Sequence, residues 1–193
     1  MITSRKELKE FIIRDSKASN RKSTRCRLVG DEVWSFQLSM RKLEYYHYKK
    51  NNSSKWLYML PFVYYRLKYH YKSLRLGFTI PYNVFDKGLS IAHYGTIVVS
   101  VFCKVGENCR IHSCVNIGVD GQVPKAAQIG NNVYIGPGAK IVGDISIADG
   151  VLIGAGAVVV KSIDEPNTTW AGVPARKISD NSAISHLSPL LYE

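Results

Sequence analysis

The sequence has no apolar run long enough to cross a bilayer. Its longest, Trp56 to Tyr65, spans ten residues and contains Pro61, whereas a spanning helix needs about twenty. Met1 to Glu10 are charged and lack the apolar core of a signal peptide. Cysteine is scarce: Cys26, Cys103, Cys109 and Cys114 form no CxxC pair and no framework spacing. That argues against a disulfide-stapled scaffold and for a reducing compartment, where a free Cys is a small buried apolar residue. Acidic residues are short in one part only. Residues 1–75 hold 18 basic and 6 acidic side chains, net +12, and residues 76–193 hold 8 and 9, net −1. A basic front of this kind has an anionic partner (nucleic acid, an anionic bilayer, a phosphorylated substrate) or is simply a solvated face.

What the sequence does have is a count of six. Apolar residues stand at Ile91, Ile97, Val105, Ile111, Ile117, Ile129, Ile135, Ile141, Ile147, Ile153 and Val159, and small residues follow directly at Ala92, Gly106, Gly118, Gly130, Gly136, Ala148 and Gly154. Only two intervals differ: eight between Ile97 and Val105, and twelve between Ile117 and Ile129. A hexapeptide period belongs to a parallel β-helix, three hexapeptides to a triangular coil. The aliphatic residue then points inward, and the small one lets the chain bend at a corner. An ordinary sandwich would alternate with period two instead. The twelve-residue interval must expel Val119 to Gln128 as a loop, and loops on a rigid scaffold are where sites are built.

Ahead of the repeat, Ser4 to Lys17 reads as a helix, with Ser4 and Glu7 as a capping box. A second runs from Asp31 or Glu32 to Tyr48, and Asn51 to Ser54 breaks it. A third is expected from about Pro61 to Arg75, interleaving Tyr64, Tyr65, Tyr69 and Tyr71 with Arg66, Lys68 and Lys72. Those aromatics pack the helix against its neighbours, or they meet a membrane interface beside lipid-binding cations. Nucleic acid ranks last, and no nucleic-acid partner is expected. His47 and His70 lack partner spacing and are read as structural. Boundaries are expected at 1–76 for the basic helical region, 77–163 for the β-helix and 164–193 for a C-terminal extension.

The coils, the loop after Ile117, the run GAGAVVVKSI and the ending TTWAGVPARKI resemble the serine acetyltransferase branch of the left-handed β-helix acyltransferases over roughly residues 78–178. The resemblance implies acetyl-CoA as co-substrate, no metal, and a homotrimer with each active site between neighbouring subunits. It also implies that His93, in SIAHYGTIVV, is the general base that deprotonates the acceptor hydroxyl. An imidazole suits that role near neutral pH. His112 is a lesser candidate, read more readily as a surface corner. The paired small-residue runs Gly136, Pro137, Gly138, Ala139 and Gly154, Ala155, Gly156, Ala157 resemble the family's CoA groove. Lys161, Arg176 and Lys177 would meet the nucleotide phosphates.

Three positions depart from the resemblance. The family's aspartate fifteen residues before the base is Phe78 here, the aspartate directly before it is Ala92, and the second histidine of the loop is Ala126. No clamp for a free amino acid is left, and the group orienting His93 is open, with Asp86 and Asp120 as candidates. The chain also resembles a subgroup associated with bacterial surface polysaccharides. The leading expectation is therefore O-acetylation of a sugar hydroxyl in a surface polysaccharide or its precursor. Serine O-acetylation for cysteine biosynthesis and a non-catalytic trimeric scaffold are the alternatives. The expected location is cytoplasmic, with peripheral contact to the anionic inner membrane face.

Overall fold

The computed structural model describes residues 1–27, 29–121 and 124–193. Three helices come first: α1 (Arg5–Ala18), α2 (Glu32–Asn52) and α3 (Lys55–Leu76). α1 begins as its sequence predicts. The Ser4 hydroxyl accepts the Glu7 N–H at 3.1 Å, and the Glu7 carboxylate accepts the Ser4 and Thr3 N–H groups. α3 starts six residues before the expected Pro61. That proline lies in the helix's second turn, and the lost N–H does not stop it. Gly77 ends α3 in the left-handed conformation, φ +74°.

Short parallel strands follow and build three faces. The first holds β1 (Phe78–Thr79), β3 (Ile97–Val99), β6 (Asn116–Gly118), β9 (Lys140–Val142) and β12 (Val158–Val159). The second holds β4 (Lys104–Val105), β7 (Gln128–Ile129) and β10 (Ser146–Ile147). The third runs β2 (Ser90–Ile91), β5 (Arg110–Ile111), β8 (Tyr134–Ile135), β11 (Leu152–Ile153), β13 (Thr169–Ala171) and β14 (Arg176–Ser179). This is the expected mainly β class, a left-handed parallel β-helix behind an α-helical N-terminal region. Parallel stacking continues past Ile163, because β13 pairs with β11 (Ile153 opposite Trp170), and β14 then folds back antiparallel.

All eleven hexapeptide landmarks are buried, the most exposed at 5 %. The small residues that follow them act differently from the expectation that they bend the chain. A Cβ on Gly136 would lie 2.8 Å from the Ala155 nitrogen of the next coil, and one on Gly106 2.8 Å from the Gly130 oxygen. These glycines are demanded by close stacking between coils. Bending falls to other residues at positive φ, among them Gly138, Gly156 and the asparagines Asn108, Asn132 and Asn167.

The helices are tied to the first coil by one buried polar cluster. Arg41, 1 % exposed, bonds Asp15 at 2.8 Å and Glu44 at 3.1 Å, and donates to the Phe85 and Asp86 carbonyls. Asp15 in turn accepts the Gly88 and Leu89 N–H groups. The two carboxylates hold the guanidinium charged despite its burial. Arg41→Ala would leave two buried carboxylates without their cation, a change that costs about 3–5 kcal/mol. Chemical denaturation should show a correspondingly lower midpoint, whereas a loss under 1 kcal/mol would mean the cluster is unimportant.

Candidate active site

His93 sits two residues beyond β2, on the corner between the third and first faces. Its turn is held from both sides: the Ala92 N–H donates to the Ile111 carbonyl, and the Gly95 N–H to Leu76 at the end of α3. The ring is exposed, as a base that must reach a substrate requires. It begins a line of rings down one edge of the third face. His93 lies 6.1 Å from His112, His112 lies 5.0 Å from Tyr134, and Tyr134 lies 5.2 Å from His186.

His112, expected on a bare surface corner, is half-buried in this line. Its Nε2 accepts from the Arg110 Nε at 3.4 Å. Burial first, then the Arg110 charge and His93, push its pKa down to about 4. It is therefore neutral at pH 7. Tyr134 and His186 were not legible as neighbours of His93. His186 lies on a 3-10 turn (Ala183–His186) of the C-terminal tail, which nothing in the repeat places. Of the two proposed orienting carboxylates, Asp86 accepts the Lys87 N–H at 2.7 Å and lines a separate cleft with Lys104 and Gly106. Asp120 stands in the loop after β6.

The two small-residue runs stack as expected, since the Gly156 N–H donates to the Pro137 carbonyl at 2.9 Å. Only part of each run faces outward. Pro137, Ala155 and Gly156 are exposed and Gly138 and Gly154 partly so. Ala139 and Ala157 are corrected as ligand contacts: both are fully buried, and their carbonyls accept the Asn116 and Lys140 N–H groups. Gly136 is buried too, and a Cβ on it would meet the Ala155 nitrogen at 2.8 Å. What is left is a column of turns descending from the His93 corner. Nothing lies within 4 Å of a Cβ built on Gly156, so a long flexible chain has room against this column.

The three cations do not converge. Lys161 follows β12 and thus belongs to the next corner of the triangle. Lys177 bonds Glu165 and Asp180, each at 2.6 Å, which raises its pKa and commits its charge. Its ammonium is thus shared between two surface carboxylates in this structure. Arg176 is exposed beside the end of the turn column.

The helical front supplies a wall that sequence reasoning missed. A cavity of about 270 Å³ lies between His93, Ala92 and Tyr94 on the coil and Arg21, Asp31 and Glu32 on the helical side. Arg21 forks onto Asp31 with two 2.7 Å bonds, and this holds the Asp31 carboxyl at about 2. These residues stand some sixty positions from His93, and neither spacing nor period connects them.

With this geometry described, the chain can be set beside known proteins. The bacterial transferase hexapeptide family (six repeats) matches residues 126–161. Among curated proteins, none is similar enough to be matched. Soybean serine acetyltransferase is 25 % identical, over 90 % of this chain and 69 % of that one, with a TM-score of 0.71. A serine O-acetyltransferase from Brucella melitensis is 26 % identical over 92 % and 71 %, with a TM-score of 0.68. The serine acetyltransferase of Brucella abortus strain S19 in complex with coenzyme A is 25 % identical over 92 % and 70 %, with a TM-score of 0.64. The fold is that of the serine acetyltransferase structures and the repeat that of the hexapeptide transferases, in line with the sequence resemblance.

His112 yields a pH prediction with a definite sign. Its folded pKa of about 4 lies below the ordinary 6.5, so protonation favours unfolding. Its neutral burial contributes fully above pH 6.5 and is lost as pH falls toward 4. Thermal melts of the wild type and His112→Gln should diverge at neutral pH and converge in that window. A constant separation across it would refute the depressed pKa.

Proposed function

We propose that this protein is an acetyl-CoA-dependent O-acetyltransferase in which His93 is the general base. The observation that carries the reading is the exposed His93 ring at the head of the open turn column, with a polar cavity beside it. In the reaction, His93 takes the proton from the acceptor hydroxyl as that oxygen attacks the thioester carbonyl. The carbonyl carbon–sulfur bond then breaks, and the imidazolium returns its proton to the departing thiolate. Because the thiolate leaves readily, no covalent enzyme intermediate is needed. The pantetheine arm lies along Pro137, Gly138, Ala155 and Gly156, and Arg176 meets the nucleotide end. A homotrimer packed through the flat faces of the coils would supply the other wall of this groove.

Serine is the acceptor that the comparisons support best. The similar structures are serine acetyltransferases, and one from soybean is a complex with serine. This was the lesser expectation from the sequence. The sugar hydroxyl stays as a second reading on one specific observation. Phe78, at the position of the family's first aspartate, is 4 % exposed and packs edge-on against Phe36 at 5.1 Å, while Ala126 is fully buried. Neither can hold an ammonium or a carboxylate. In the wall beside His93, Arg21 and Asp31 already neutralise each other's charge, and such a pair can instead share hydrogen bonds with a neutral polyol.

Thiol release from acetyl-CoA should separate these readings. Turnover with free serine supports the first, turnover only with glycans the second, and none with either would leave the non-catalytic scaffold. His93→Ala should lower turnover with the best acceptor by about 10²–10⁴-fold while acetyl-CoA affinity stays within a few-fold. Near-full activity would remove His93 from the role and make His112→Ala the next variant. Ala155→Leu, which fills the exposed column, should weaken calorimetric binding of acetyl-CoA without unfolding the protein. Unchanged affinity would put the groove elsewhere.

A further inference from the structure

The outer face of α3 carries large apolar side chains in water. Leu57 is 69 % exposed, Leu60 81 %, Tyr64 55 %, Leu67 64 %, Tyr71 59 % and Leu74 70 %. Their spacing alternates three and four without a break, so they form one straight stripe along a 22-residue helix. Trp56, 88 % exposed, stands at its N-terminal end. The opposite face is the one that packs inward. Phe62 is buried, Tyr65 stacks on Tyr46 at 5.3 Å, and Tyr69 stacks on Phe36 and donates its hydroxyl to the Ile80 carbonyl. The helix's aromatics thus divide between core and solvent, where the sequence offered those roles as alternatives.

α3 contains five basic residues and no acidic one. Two cations border the stripe through contacts with its own tyrosines: Lys68 lies over the Tyr64 ring at 5.5 Å, and Arg75 over Tyr71 at 5.5 Å. Lys55 and Arg66 are exposed as well. Lys72 is different, since it turns inward to the Ser35 hydroxyl, and burial lowers its pKa. A continuous apolar ridge with a single sign of charge at its borders fits a negatively charged surface with an oily interior. A second copy of α3 fits worse, because the residues flanking the seam, Lys68, His70 and Arg75, would face like residues in either orientation.

We propose that α3 is a docking face for an anionic lipid bilayer. The stripe enters the boundary between headgroups and acyl chains, Trp56 lies at headgroup depth, and Lys68 and Arg75 meet the phosphates. Association is peripheral, since no helix among the described residues is long and apolar enough to cross a membrane. The stripe's C-terminal end opens on a cavity of about 450 Å³ lined by Tyr71, Arg75 and Tyr94, one residue from His93. Docking would therefore bring the His93 corner to the lipid surface. The binding itself does not depend on the reaction assigned to that corner.

Co-sedimentation of the full chain with phosphatidylcholine vesicles, with and without phosphatidylglycerol, tests this at low and high salt. Binding should require phosphatidylglycerol, fall with salt and shift the Trp56 emission to the blue, and Trp56→Phe should lose the shift. Lys68→Ser with Arg75→Ser should lower partitioning about 10- to 30-fold, the effect of two surface cations. Leu60→Ser with Leu67→Ser should lower it as well, and both pairs are exposed enough to leave the circular dichroism unchanged. The proposal falls if the protein stays in solution with anionic vesicles at low salt. It falls equally if the leucine pair does not affect binding, or if those leucines instead set the protein's size without lipid, which would make the face a contact between copies.

Discussion

The fold depends on how closely one coil can lie on the next. Each parallel strand is two or three residues long, too short for a stable sheet alone, so the ladder bonds form only because the coils stack. At Gly106 and Gly136 this leaves no space for a Cβ, which would meet the backbone of the next coil at 2.8 Å. The aliphatic landmarks fill the interior that the stacking encloses. The two halves of the repeat therefore have separate duties: isoleucine or valine supplies the apolar core, and glycine permits the approach that brings the cores into register. A third class, glycine or asparagine in the left-handed region, turns the chain between faces.

A stack built this way ends in unpaired strand edges, and the two ends are finished differently. At the first coil, α1 and α2 are held against the chain by Arg41 and its carboxylates, which take up backbone groups at Phe85, Asp86, Gly88 and Leu89. At the far end, β14 folds back on β13. The tail then returns along the stack, and its Leu187 and Leu191 pack on Ala18 of α1 while the Leu191 carbonyl accepts from Arg14. Tail and front thus brace each other across the coils. His186 reaches the line of rings through this brace.

The legibility of the sequence follows from the range of the forces involved. The coils could be read because the same six-residue environment recurs and leaves a period. The start of α1 could be read because a capping box is local. The start of α3 could not, since Pro61 looks like a beginning, yet tertiary packing of Phe62, Tyr65 and Tyr69 carries the helix through it. The resemblance singled out His93, but the surroundings of that residue were not legible. Arg21, Asp31, Tyr134 and His186 meet it only through contacts across tens of residues. Ala139 and Ala157 were misread for a related reason: a run of small residues does not reveal which of its members face the core.

The departure at Phe78 becomes intelligible once α2 and α3 are in place. Phe78 is the first residue of β1, and its ring joins Phe36 of α2 and, through it, Tyr69 of α3 in one apolar joint. A carboxylate there would be buried without a cation, which is strongly unfavourable. The same joint holds the end of α3, whose Leu76 carbonyl receives the Gly95 N–H of the His93 turn. In place of a carboxylate, the position holds a residue that fixes the His93 turn mechanically. The polar groups nearest His93 now come from the helical front and from His112. The polar wall of the His93 corner is thus built by the part of the chain that carries no repeat.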